Sequence, residues 1–447
     1  MAAPRRNLFV RSSDFLKLWT AATISLFGTQ VSLIAIPVIA VLLLDVPAYQ
    51  VALLGTVEFL PFLLFTLPAG AWVDRLPRRL ILVIGDFGRA ASLLTIPIAY
   101  ELGVLTIWQL YVVGFVNGLL TVFFDVADQS FLPAIIEPDD LIEGNSKIQI
   151  SGSAAQVLGQ PLGGGLVGLL SAPIAILFDA ISFVVSGGLI FWIRKREPKR
   201  VVDPGPAGLG SVAGLRAEIG EGLRYVLHHP YLRYIAATTG LSNLFTNIAF
   251  ATFAVFTYRV LGLTPLTVGI IDGLGAVGLL VGALVAGRIA ERFGVGRTIL
   301  WSAILFGPST LIAAFAQPET AVPLLIASVF LGSFGGVVYN INQVSLRQAI
   351  TPERIQGRMN ATMRFLVWGT IPIGMIIGGT IASIPEVGAR GAIVVGGILS
   401  CFSFVPLLFS SVRRLERIPT PEREPEMSEA ALLDADAEMV SPGSSLD

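Results

Sequence analysis

Glu58, Asp86, Arg89, Asp179 and Asp272 are ionisable side chains set inside long apolar runs. A charge at the centre of a bilayer costs roughly 2.5–3.5 kcal/mol on insertion scales, so a carboxyl retained there points to work such as taking up and releasing a proton. Glu58 lies about 10 residues from the outer end of its run, about 15 Å deep at 1.5 Å per residue, near a bilayer midplane. It is the leading proton-coupling candidate; the alternative is a carboxylate hydrogen-bonded to a neighbouring helix. Asp272, nearer the outer surface, and Asp179 are further candidates. Asp86 and Arg89 are three residues apart on one helical face, the spacing of an intrahelical pair. Asp86 could instead reach the arginines of Gly-Ala-Trp-Val-Asp-Arg-Leu-Pro-Arg-Arg (70–79). There Gly70 allows close packing, Asp74 can face a helix N-terminus, and Arg75, Arg78 and Arg79 can pair with carboxylates, Asp125 among them. These are the parts of a cytoplasmic gate, although three arginines also serve as a topology signal. An amide facing lipid would be unsatisfied, so Gln30, Asn243, Asn247, Asn340 and Gln343 suggest a polar cavity. Phe62 and Trp368 are candidate aromatic walls for it, lipid contact being the alternative for either.

Elements long enough to bury these groups are plain in the composition. The chain has 447 residues, 54% hydrophobic and only 14% charged, against about 25% charged in an average soluble protein. Mean hydropathy is +0.76. Lys+Arg (30) and Asp+Glu (31) nearly cancel, which argues against a nucleic-acid partner. One cysteine, Cys401, rules out internal disulfides, and two histidines, His228 and His229, exclude a histidine metal cage. No metal or cofactor is expected. Twelve apolar runs of about 20 residues predict twelve transmembrane helices: roughly 19–43, 48–73, 80–100, 104–127, 147–170, 173–193, 235–258, 265–289, 298–316, 321–345, 363–384 and 389–411. Basic residues before the first run, between runs 2 and 3, after run 6, between runs 10 and 11 and after run 12 fall on one side, with only Arg259 and Arg390 opposite. Both termini are therefore expected in the cytoplasm, with the chain in the inner membrane.

The organisation expected is a six-helix bundle over 1–193, a cytoplasmic linker over 194–234, a second bundle over 235–412 and a disordered acidic tail over 413–447. Within the linker, Leu215, Ile219, Leu223 and Val226 repeat at helical spacing and read as an interfacial amphipathic helix. The halves repeat: residues 70–79 return at 287–294 as Gly-Arg-Ile-Ala-Glu-Arg-Phe-Gly, which adds Glu291 and Arg292 to the gate candidates. Pro138-Asp-Asp-Leu returns as Pro352-Glu-Arg-Ile, and Gln160-Pro161-Leu-Gly as Ile371-Pro372-Ile-Gly. Parallel repeats of this size predict an all-α membrane protein of two pseudo-symmetric six-helix bundles.

The G-x-x-x-D-R-x-x-R-R stretch resembles motif A of the major facilitator superfamily. LFDAISFVVSG (177–187), EIGEGLRYVLHHPYLR (218–233) and NQVSLRQAITPERIQGRMNATMRFLVWGTIPIG (342–374) resemble its drug:proton antiporter branch, which includes macrolide and siderophore (enterobactin) exporters. The resemblance runs to about residue 412 and implies the major facilitator fold, a monomer, and a small-molecule substrate exchanged for protons. Gln160-Pro161-Leu-Gly-Gly-Gly resembles a degraded antiporter motif, with ordinary small-residue packing as its alternative. The branch's Arg-x-x-Gln-Gly signature aligns with Gly114-Phe-Val-Asn117-Gly118, where the arginine linked to proton transfer in relatives is missing.

No H-E-x-x-H, G-x-S-x-G or phosphate-cradling loop occurs, so neither an enzyme nor an ATP-driven pump is expected. The function expected is efflux of hydrophobic or amphipathic molecules by alternating access. Export of a specific metabolite such as a siderophore, or of a lipid, is the alternative.

Overall fold

A computed structural model describes residues 8–73, 76–137, 140–195 and 212–418, and no strand occurs among them. The first bundle comprises α1 (Ser13–Leu43), α2 (Ala48–Val73), α3 (Arg78–Glu101), α4 (Ile107–Ile135), α5 (141–170) and α6 (Ala172–Phe191). After α7 (Val212–His228) comes the second bundle: α8 (Leu232–Val260), α9 (Pro265–Phe293), α10 (Val295–Ala314), α11 (Ala321–Ile350), α12 (353–382) and α13 (Gly388–Leu408). Eleven of the twelve bundle helices are long and apolar enough to cross a membrane. The twelfth is α5: its first half, Leu141–Ala154, is polar, and a π-helical turn at Ala155–Gly159 interrupts it.

Helix starts follow local chemistry. Ser12 caps α1 by accepting the Phe15 N–H at 3.1 Å, and Thr264 caps α9 ahead of Pro265 by accepting the Thr267 N–H at 3.2 Å. Side chains such as Trp108, Leu169 and Leu284 point outwards, as helices with lipid on one flank require.

The main packings of the first bundle have their counterparts in the second: α1 on α6 and α8 on α13, α3 on α6 and α10 on α13, α2 on α4 and α9 on α11. Between bundles α2 meets α12 and α5 meets α9, again a pair and its repeat. Glycines let these crossings close: a Cβ on Gly164 would overlap the Pro265 carbonyl, and one on Gly379 would meet the Ala52 Cβ. These contacts lie away from the face that carries α7, here the linker face. Towards the linker face α5 and α9 diverge, leaving open space around Gly152 and Gly287.

One expectation needs correction. Asp125 does not end its span, because α4 continues to Ile135. α7 docks on the second bundle, where Val226 is fully buried with Ile235 and Met359, and Arg358 pairs with Glu221 at 2.5 Å. The side chains of Leu215 and Ile219, the segment 196–211 and most of the acidic tail (419–447) lie outside the described residues.

Candidate functional site

A cavity of about 720 Å3 sits in the second bundle and opens towards the linker face. Helical periodicity builds it. On α12, Asn360, Arg364 and Trp368 follow at intervals of four; on α11, Asn340, Gln343 and Arg347 follow at three and four. On α8, the Asn243 amide donates to the Val367 carbonyl at 3.0 Å and the Asn247 amide to the Asn243 carbonyl at 2.8 Å. The Gln343 amide donates to Asn340 Oδ1 at 2.9 Å, while its own Oε1 is buried without a partner. Thr239 and the Tyr339 hydroxyl are 2.8 Å apart. Arg347 donates to Asn360 Oδ1 at 3.2 Å, and Arg364 lies over the Trp368 ring, 5.3 Å from its centroid.

Asn243, Asn247, Asn340, Gln343 and Trp368 thus all line this cavity, and the Phe62 ring of α2 stands 5.3 Å from Trp368. Gln30 does not: only 7% exposed, it is enclosed between α1 and α5 against Gly159. Interior of a bundle, as well as a cavity, keeps an amide from lipid. Arg347, Asn360, Gln129 and Phe306 also line the cavity. Sequence reasoning missed their role because Arg347 reads equally well as a topology charge; the spacing Asn340–Gln343–Arg347 was the available signal.

The carboxylates separate into two groups. Glu58, halfway along α2, sets its backbone carbonyl against Gly118 and its Cβ towards Gly114, so the degraded α4 signature packs on it. Its carboxyl makes no hydrogen bond or ion pair among the described residues, and neither does that of Asp272 on α9. The rest gather on Arg89, held between the rings of Phe124 and Phe183 at 4.2 Å each. Asp86, fully buried, pairs with Arg89 at 2.6 Å. This is the intrahelical pair that the spacing predicts; Asp86 faces α6 inside the first bundle, with its Oδ1 on Arg89 and its Oδ2 buried without a hydrogen-bond partner. Asp179 accepts from the Ser32 and Ser182 hydroxyls between α1 and α6, within electrostatic reach of Arg89. Asp125 stands within reach of Arg89 and of Arg364 across the cleft, and Asp128, not foreseen, joins the same cluster.

At the linker face, Arg78 donates to the Ser130 carbonyl at 2.6 Å and Arg79 lies over Phe191, both within the first bundle. Gly70 falls in the last turn of α2; Asp74 and Arg75 lie outside the described residues. Glu291 and Arg292 are exposed, Arg292 lying over Phe293. At the far face a polar clasp adds to the helix packing between the bundles. Arg259 of α8 reaches Asp45 Oδ1 at 2.7 Å and the Val41 carbonyl of α1 at 2.7 Å. Both partners belong to or follow π-helical turns, Ile39–Leu43 in α1 and Phe256–Val260 in α8.

Two related bundles, open at one face and clasped at the other around a polar cavity, are the parts of an alternating-access carrier. The sequence profile of the transmembrane secretion effector family matches residues 8–441. The chain belongs to this family of major facilitator transporters. The multidrug efflux pump Tap of Mycolicibacterium fortuitum is 27% identical to it over 343 residues, covering 74% of this chain and 80% of Tap. The uncharacterised transporter YvqJ of Bacillus subtilis (strain 168) is 23% identical, covering 83% and 86%. Among solved structures, a bacterial homologue of the iron transporter ferroportin in its inward-facing state is 18% identical, with TM-score 0.68 over 89% of this chain and 98% of that one. The same homologue in its outward-facing state gives TM-score 0.56 over the same shares.

Proposed function

We propose that this major facilitator transporter exports small amphipathic molecules across the cytoplasmic membrane by proton antiport, and that it stands here open to the cytoplasm. The observation that carries the reading is the cavity, which opens at the basic linker face while Arg259 holds the far face shut. The positive-inside rule assigns the linker face, and with it both termini, to the cytoplasm. Substrate would enter from there, and rocking about the α2–α12 and α5–α9 seams would carry it outwards. The nearer fit to the inward-facing ferroportin homologue agrees with this pose, and the likeness to Tap favours efflux.

Proton coupling is assigned to Glu58, whose carboxyl at mid-membrane depth has neither cation nor donor to hold its charge. Protonation removes a charge from the bundle, and so biases the equilibrium between poses. Asp272, on the repeated helix α9, is the second candidate. Asp179 is the third, although its two serine donors also suit a structural role.

The test is efflux of a fluorescent amphipathic dye from proteoliposomes under an imposed pH gradient, wild type against Glu58→Gln. Uphill efflux that a protonophore abolishes and Glu58→Gln lacks, with downhill exchange kept, is the expected result. Normal uphill efflux by Glu58→Gln would remove Glu58 from the coupling route. Uphill efflux that persists when the protonophore collapses the gradient would remove protons as the driving ion.

A further inference from the structure

We infer that the cavity of the second bundle is a binding site for anionic amphiphiles, compounds that join a carboxylate, sulfonate or phosphate to an aromatic or aliphatic body. The inference rests on the transport reading above and names its substrate class.

Charge comes first. Two guanidiniums, Arg347 and Arg364, line the cavity, and no carboxylate does so among the described residues. They lie close together. Arg347 hydrogen-bonds Asn360, and Arg364 stands one helical turn beyond Asn360 on the same face of α12. Both occupy the mouth: Arg347 is three residues from the end of α11, and Asn360 is exposed. A bilayer-edge arginine that serves topology alone would extend to water. Arg347 instead turns inwards, and its Nε is buried with no hydrogen-bond partner. Asp125, on the far side of the cleft, offsets part of the charge of Arg364. Arg347 has no carboxylate partner among the described residues, so the mouth keeps a net positive charge. Guanidinium donors arranged as a fork suit carboxylate, sulfonate and phosphate oxygens, whereas an ammonium ligand would be repelled.

The floor supplies the other half of the recognition. Trp368 and Phe306 offer ring faces, and Gln343, only 4% exposed, leaves a buried acceptor open. An apolar body with one hydrogen-bond donor would lie on this floor with its anionic end towards the arginines. Among the described residues, the lining offers a lipophilic cation no carboxylate.

A matched pair of probes tests this: 2-naphthylacetate and (2-naphthylmethyl)trimethylammonium, titrated calorimetrically against the full chain in an uncharged detergent. The anion is expected to bind at least tenfold tighter than the cation. Arg347→Gln and Arg364→Gln should each weaken the anion tenfold or more and leave the cation unchanged, and Arg347→Lys should keep most of the affinity. Equal or tighter binding of the cation overturns the inference, as does failure of the anion to bind, or anion affinity indifferent to both arginines. The wild-type comparison decides even where a variant does not fold. Flux of the anion in proteoliposomes is read separately: selective, arginine-dependent binding without flux would leave the site standing and remove the exporter reading.

Discussion

Arg259 offers the sharpest test of the two-pose mechanism, because both of its contacts join the bundles and exist only while the far face is shut. Their strengths differ. The Asp45 side chain is 85% exposed, so its ion pair with Arg259 contributes about 0–1 kcal/mol. The bond from the guanidinium to the Val41 carbonyl is charge-assisted at 2.7 Å, and such bonds contribute about 1.5–3 kcal/mol. Removing the guanidinium should therefore raise the closed pose by about 2 kcal/mol relative to the open one, a shift of about 30-fold in their ratio. Removing only the Asp45 charge should shift it by less than about fivefold. Asn is the replacement of choice at Asp45, where φ is +46° and Asn tolerates the left-handed region. Spin labels at Leu102→Cys and Phe315→Cys, exposed far-face sites on opposite bundles, would report the separation in nanodiscs once Cys401 is replaced by serine. Arg259→Ala should populate a longer distance strongly and Asp45→Asn only slightly. An unchanged distribution in Arg259→Ala, or a larger effect from Asp45→Asn, would refute the reasoning.

Three more outcomes are expected. Arg89→Leu strands the fully buried Asp86 carboxylate and should cost about 3–5 kcal/mol, seen as a lowered melting temperature in detergent; adding Asp86→Leu should recover much of it. Gly379→Val forces side-chain carbon against Ala52 at the α2–α12 seam and should lower uphill transport several-fold while leaving expression near normal, which flux per purified carrier would measure. His229 accepts the N–H groups of Tyr231 and Leu232 on Nδ1 at 3.2 and 3.4 Å, and its half-burial holds its pKa below the ordinary 6.5. The fold thus favours the neutral ring: its contribution is complete above pH 6.5 and lost as pH falls below that value. The protection factor for hydrogen exchange at the α7–α8 junction, corrected for the pH dependence of the intrinsic rate, should fall on acidification from pH 7.5 to 5.5, and the acid sensitivity should disappear in His229→Asn.

The fold was legible because lipid imposes a simple rule: about 20 apolar residues per crossing, with basic residues on one side. The repeat of residues 70–79 at 287–294 was enough to foresee two bundles. Cavity amides were legible for a related reason, since Asn243, Asn247, Asn340 and Gln343 cannot face hydrocarbon. That argument stops at depth, not direction: Gln30 satisfies it equally well from inside a bundle. Charges near the membrane edge are harder still. Arg259 and Arg347 both sit where topology alone would permit an arginine, and only three-dimensional packing separates a latch from a mouth residue. The gathering of Asp86, Asp125, Asp128 and Asp179 on Arg89 draws on α3, α4 and α6, and no spacing within one helix announces it.

The two π-helical turns stand 217 residues apart, at matching places in the two halves, and they touch across the far face. Leu42 occupies in the first half the place that Arg259 has in the second. A duplicated frame offers its two poses on nearly equal terms; a clasp grown on one copy alone removes that equality. Whichever gradient drives net flux, the expectation is that this arginine weights the idle carrier towards the pose with its far face shut, so that the compartment at the linker face meets an empty cavity first.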